Sequence, residues 1–254
     1  MNKVPGLNSN VFFDPVGLPF SQVSSVDPLF PSGAIAYYRM DESSGAVIDA
    51  VNGYNGVNNG ATPNVTGKIN TAYDFDGLVD YINLDALVTP LATTTQGTWS
   101  MWVKPVNALP STAQVFLSFS DTDVHSFITI AYLSNGSFSI QAILSLLGKW
   151  IISTTANDVT AGSWYHLALV QDGVSPVFYV NGIPSGTLTN TNNITSWFND
   201  IAGIDNGRIG DINFTNNTEK LFFDGTIDEV GIWTRALSAT EVSNLYNGGN
   251  GRQI

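Results

Sequence analysis

Cysteine is missing from all 254 residues, which excludes a disulfide framework, a zinc-thiolate site and a cysteine nucleophile, and leaves packing to stabilise the fold. Charge is scarce: Asp, Glu, Lys and Arg together make up 12% of the chain, and 21 acidic residues against 9 basic ones give a formal net charge of -12. Such a surface repels phosphate backbones and anionic headgroups, so no nucleic-acid partner is expected. No apolar run approaches the roughly 20 residues that a membrane-spanning helix requires, so no membrane insertion is expected either. The opening Met1-Asn2-Lys3-Val4-Pro5-Gly6 lacks the basic and then apolar run of a secretory signal peptide, and synthesis in a cytoplasm is the expectation.

Catalytic side chains are also few. The histidines are His125 and His166, the glutamates are Glu42, Glu219, Glu229 and Glu241, and no serine stands in a Gly-x-Ser-x-Gly elbow. A glycosidase needs two carboxyl groups on one open face. In Ile227-Asp228-Glu229-Val230, strand alternation would put the two adjacent carboxylates on opposite faces. The expectation is a protein that binds or builds rather than an enzyme, with His166 a structural residue inside its strand.

Asn, Thr, Ser and Gly carry the polar load instead, which is the surface of a loop-rich β protein. Residues 1–33 stand apart: Pro5, Pro15, Pro19, Pro28 and Pro31 break any regular element, while Phe12, Phe13, Phe20, Leu29 and Phe30 supply apolar knobs. This reads as an extended arm that docks either on its own domain or on another subunit, the five knobs being candidate anchors. Deleting residues 1–30 is then expected to abolish assembly while leaving the melting temperature of the domain nearly unchanged.

Residues 34–254 read as one domain of short strands. Ile35 to Met40, Tyr73 to Asp76, Tyr81 to Leu84, Trp99 to Lys104 and Val115 to Phe119 alternate between turn clusters, and Phe127 to Tyr132, Phe138 to Leu144 and Lys149 to Ser153 follow as a meander. Trp164 to Val170 leads to Val177 to Val180 and the hairpin signal Asn181-Gly182. Arg208 to Gly210, Leu221 to Phe223 and Thr226 to Trp233 bring the count above ten, enough for two packed sheets. One helix is expected after Ser238, whose capping box closes on Glu241; Val242 and Leu245 give its apolar face and Gly248-Gly249 stop it. Being short, it should sit as a lid on the sandwich edge.

Five stretches, in order, resemble the laminin G-like, concanavalin A-like jelly-roll family. They are Tyr38 to Gly45; Phe75-Asp76-Gly77 with Asp80-Tyr81-Ile82; Trp99 to Pro105; Trp164 to Val170 with Tyr179 to Gly182; and Phe223 to Val230 running on through Arg235-Ala236-Leu237-Ser238 to Glu241. The resemblance implies an all-β, two-sheet antiparallel jelly-roll sandwich. Asp27-Pro28-Leu29-Phe30, Ala36 to Asp41 and Gly53-Tyr54-Asn55-Gly56 further resemble the subset found in tailed-phage virion proteins. That subset implies a structural and adhesive component of the virion surface, a head-decoration or tail-associated protein, tethered to other virion subunits by the arm and forming a homo-oligomer. The alternative is a free carbohydrate-binding module that recognises a glycan through its rim loops. Trp150 and Trp197 are the tryptophans outside the family's strand motifs, hence candidates for stacking on a sugar. The resemblance also implies one structural calcium near the first and last strands, with Asp41 or Asp49 meeting Asp228 and Asp76 as a further ligand.

Overall fold

A computed structural model describes residues 27–254; Phe12, Phe13 and Phe20 of the expected arm lie outside the described residues. The chain begins with β1 (Ala34–Tyr38), β2 (Val57–Asn59), β3 (Thr62–Thr66), β4 (Thr71–Asp76) and β5 (Tyr81–Asn83). A single helical turn, α1 (Val88–Leu91), precedes β6 (Gly97–Pro105), β7 (Gln114–Ser120), β8 (Phe127–Tyr132), β9 (Phe138–Leu144) and β10 (Leu147–Ser153). Then come β11 (Tyr165–Gln171), β12 (Pro176–Val180), β13 (Ile183–Pro184), β14 (Thr187–Asn190), β15 (Asn206–Ile209), β16 (Ile212–Asn213) and β17 (Glu219–Lys220). The last elements are β18 (Asp224–Trp233) and α2 (Ala239–Tyr246).

These strands make two antiparallel sheets packed as a sandwich. Sheet one has the order β13-β12-β11-β6-β18-β4-β3; the first half of β18 pairs with β4 and its second half with β1. Sheet two has the order β14-β10-β9-β8-β7-β15-β5-β2, and β16 and β17 form a separate hairpin. Alternation builds the core: Trp99, Met101 and Val103 of β6 and Leu167 and Leu169 of β11 meet Phe116, Phe119, Ile128 and Ile140 of sheet two.

The outward positions of sheet one are also buried, by a second apolar layer. Ala168, Val170, Tyr179 and Trp233 carry Val242 and Leu245 of α2 together with Phe30. The helix therefore lies on a sheet face rather than at an edge, because its two apolar side chains require that surface. Its capping box forms as expected: Ser238 N donates to Glu241 Oε2 at 2.8 Å and Glu241 N donates to Ser238 Oγ at 3.3 Å.

The last residues of the expected arm belong to this layer. Phe30 packs edge-on against Tyr37 with ring centroids 4.9 Å apart, Trp233 Nε1 donates to the Pro31 carbonyl, and Arg252 pairs with Asp27. Phe30 thus anchors to its own sandwich rather than to a partner, the apolar outer face of β1 and β18 being the nearest surface able to bury it. Leu29 remains exposed.

Candidate functional site

At one rim, where β9 and β10 of sheet two meet β11 and β12 of sheet one, lies an open cleft of about 380 Å³. Phe138 and Tyr165 form its apolar wall, with Thr154, Thr155, Asp158, Val180, Asn181, Ser185 and Gly186 around them. The Asn181-Gly182 turn that the sequence signals places one lip. Both residues adopt positive φ (52° and 76°), the mirror-image turn geometry that suits a two-residue hairpin, and Val180 pairs with Ile183 across it. Asn181 is fixed to the sheet by reciprocal bonds: its N donates to the His166 carbonyl at 2.8 Å and its Oδ1 accepts from His166 N at 3.0 Å. On the opposite lip, Phe138 N donates to Thr154 Oγ1 at 3.0 Å and Thr154 N to the Phe138 carbonyl at 2.9 Å. Tyr165 stands edge-on to Phe138 at 5.2 Å and its hydroxyl accepts from Thr160 N at 2.7 Å, which sets the ring's orientation. Phe138, Tyr165 and Val180 are held at strand ends, and the hydrogen bonds above fix Thr154 and Asn181 in the adjoining loops.

The two tryptophans expected to stack on a sugar are not in this cleft. Trp150 is fully buried, Nε1 donating to the Ser196 carbonyl at 2.8 Å, and Trp197 is wedged between Trp99 and Phe198. Residues 189–199, rich in Asn and Thr, carry Trp197 inward, and the Ser196 carbonyl among them accepts from both Trp150 Nε1 and Gln171 Nε2, so both indoles serve the core.

The acidic residues are placed elsewhere again. Asp49 spends both oxygens on the backbone N–H groups of Tyr37, Val51, Asn52 and Tyr54, and Asp76 Oδ1 accepts from Leu78, Val79 and Asp80. Both are loop staples. Asp41 does lie near Asp228, but its oxygens accept from Gln253 Nε2 at 2.8 Å and Thr71 N at 3.1 Å, and Asp228 Oδ2 accepts from Lys68 N and Ile69 N. The residues therefore do not fit a calcium site built from Asp41, Asp49, Asp76 and Asp228, and among the described residues no three His, Asp or Glu side chains converge on a metal position.

Asp228 and Glu229 do not alternate across the strand. The β18 register against β6 shifts between Asp228 and Gly231, and Glu229 has φ +53°. This bulge inserts Glu229 so that both carboxyls leave the core side of β18, where they meet Tyr37, Gln253 and Asp41. Both are buried under the C-terminal residues; burial, with the nearby Asp41 carboxylate, pushes Asp228 up to about 8, and burial, with the charge of Asp228, pushes Glu229 up to about 9. No open face gives a substrate access to the pair. His166 is buried too, its Nε2 2.8 Å from Ser100 Oγ and its ring against Trp102. Burial lowers its pKa to about 3, so the imidazole stays neutral.

A family model described as the Concanavalin A-like lectin/glucanases superfamily matches residues 76–243, about two thirds of the chain. The chain belongs to this superfamily. Domain 4 of AbnA, a GH43 extracellular arabinanase from Geobacillus stearothermophilus, in complex with arabinotriose, is similar to this concanavalin A-like domain at TM-score 0.62 and 21% identity, covering 84% of this chain and 97% of that one. The Ruminococcus gnavus IT-sialidase CBM40 bound to α2,3-sialyllactose is similar at TM-score 0.55 and 16% identity, covering 74% and 94%. A Trypanosoma rangeli sialidase is similar at TM-score 0.66 and 14% identity, over 89% of this chain and 35% of its own. The chain spans about a quarter of the NanB sialidase of Streptococcus pneumoniae that it also resembles. No curated protein matches this chain. The likenesses establish the fold.

Proposed function

We propose that this chain is a non-catalytic lectin-like module that holds a neutral glycan in the rim cleft. The observation that carries the reading is the make-up of the cleft: an aromatic ring, Tyr165, beside the hydroxyl and amide groups of Thr154, Thr155, Asn181 and Ser185, with one carboxylate, Asp158, and no Lys, Arg or His. Hydroxyls and amides match the donor and acceptor pattern of a polyol, and the ring offers an apolar face to its C–H groups. Among the similar structures are a complex with neutral arabinotriose and complexes with acidic sugars, sialyllactose and 2,3-difluorosialic acid. A cleft whose only charge is negative favours the neutral class. Non-catalytic is inferred from the burial of the Asp228–Glu229 pair, which removes it from any substrate.

A glycan array followed by calorimetric titration tests the reading. Neutral oligosaccharides are expected to bind, and Tyr165→Ala to weaken them at least about tenfold, or about 1.4 kcal/mol. Binding confined to sialylated glycans, or unchanged by the substitution, would overturn it.

A second reading sets the same module on the surface of a tailed-phage virion, as a head-decoration or tail-associated subunit held by residues 1–33. One observation favours it: Leu29 is 52% exposed beside the buried Phe30, an apolar knob left outward where the arm meets the sandwich. Mass spectrometry of purified particles tests it; particles without this chain would contradict it.

A further inference from the structure

The Asn181 lip of the rim cleft is backed by a residue that lies outside the cleft. Tyr246, the last residue of α2, sets its ring against the β12–β13 turn: a Cβ added to Gly182 would stand 3.1 Å from Tyr246 Cδ1, 3.2 Å from its Cβ and 3.3 Å from its Cγ. Glycine leaves the ring that room, and the hydroxyl takes no part in the contact. The ring is fixed in turn by the outer face of sheet one, stacking on Trp102 with centroids 5.8 Å apart and lying 6.1 Å from the His166 ring. Val242 and Leu245 hold the helix itself to Ala168, Val170, Tyr179 and Trp233. His166, under the ring, grips the same turn through its backbone, its N and carbonyl bonding Asn181 Oδ1 and N at 3.0 and 2.8 Å. With those two Asn181 groups spent on His166, Nδ2 is the donor that its side chain keeps for the cleft.

We propose that Tyr246 is a positioning residue of the rim cleft: its ring buttresses the Asn181-Gly182 turn from outside the sandwich and so sets where Asn181 Nδ2 stands among the cleft's polar groups. This rests on the cleft being the glycan site, and makes the C-terminal helix part of that site although no helix residue lines it. Asn181 is the residue that touches sugar, and Tyr246 acts through it. A donor held in place before the ligand arrives has less freedom to lose on binding, so removing the buttress lowers affinity without removing a contact to the ligand. The opposite lip does not share this support, because Thr154 is tied to Phe138 of sheet two.

Two measurements on the whole chain test it, the first without any sugar. In Tyr246→Ala, amide hydrogen exchange should be at least about tenfold faster at Asn181 and His166, whose N–H groups make the reciprocal bonds, and unchanged at Thr154 on the opposite lip. Calorimetric titration with arabinotriose then reads the site: Tyr246→Ala should weaken binding about tenfold, while Tyr246→Phe, which keeps the ring, should stay within about twofold of the parent. In an Asn181→Gly background, which the φ of +52° accepts, Tyr246→Ala should cost almost no further affinity, because one residue acts through the other. Tyr246→Val makes the same comparisons should Tyr246→Ala fail to fold. Unchanged exchange at Asn181 and His166 would overturn the proposal, as would affinity losses that simply add in the double variant. Faster exchange at those two amides in a protein that binds no neutral glycan would uphold the buttress and contradict only the glycan reading of the cleft.

Discussion

Replacing Phe30 by Ala isolates the contact that joins the N-terminal segment to the sandwich. The ring is 6% exposed, edge-on to Tyr37 at 4.9 Å and tilted against Trp233 at 6.0 Å, and its neighbours Pro31 and Ser32 accept from Trp233 Nε1 and Arg235. Truncating a buried Phe to Ala costs about 3–5 kcal/mol, and the lower end applies because the segment lies on the outside of the domain and can settle into part of the space. At about 2–4 °C per kcal/mol for a chain of this size, the melting temperature should fall by about 6–12 °C. Leu29→Ala is the control: the side chain is 52% exposed, so its loss should cost under about 0.5 kcal/mol. Thermal and urea denaturation of the two variants beside the parent read the difference. A Phe30→Ala protein that melts within about 1 °C of the parent would refute self-docking and restore the expectation that removing residues 1–30 leaves stability untouched. Self-docking predicts instead that this deletion costs at least as much as Phe30→Ala.

Stability should fall as pH rises from about 5 to 8, by up to about 1.4 kcal/mol per pH unit for each raised group, since between the unfolded and folded pKa the native chain binds more protons on Asp228 and Glu229 than the unfolded chain does. Asp228→Asn should flatten this decline in urea titrations at the two pH values, and a parent protein equally stable at both would contradict the burial argument. Gly182→Ala should destabilise by more than about 1 kcal/mol, because its φ of +76° disfavours a side chain and the new Cβ would lie 3.1 Å from Tyr246; an unchanged melting curve would count against the turn geometry. Ser238→Ala, which removes the cap of α2, should cost about 1 kcal/mol by the same assay, and a loss under about 0.3 would show that the cap contributes nothing.

Local chemistry that is expressed in the sequence itself was readable before the fold. The β8 and β9 bounds, the Asn181-Gly182 turn and the Ser238 capping box each depend on residues within a few positions, and each stands where the pattern puts it. What depended on tertiary burial was not readable. Trp150 looked free because it stands outside the strand motifs that carry the family resemblance; only the pairing of β10 with β9, which sets it opposite Ala142 on the core side, shows that it points inward. Glu229 was assigned to the wrong face because a bulge leaves no mark in a run such as Ile-Asp-Glu-Val, although Gly231, the residue just beyond it, was a hint. The cleft itself joins residues from 138 to 186 that are each ordinary in their own strand or loop, and no linear spacing announces it. Its lip at Asn181 was the one part carried by a motif.

The central claim is that a neutral glycan occupies the rim cleft. Amide chemical-shift mapping of the labelled protein during titration with arabinotriose, and separately with α2,3-sialyllactose, tests it most directly. The account predicts saturable shifts concentrated at Thr154, Thr155, Tyr165, Asn181 and Ser185 with the neutral sugar, much weaker shifts with the acidic one, and none in Tyr165→Ala. Saturable shifts centred on the outer face of sheet two around Gln141, with the cleft silent, would contradict it.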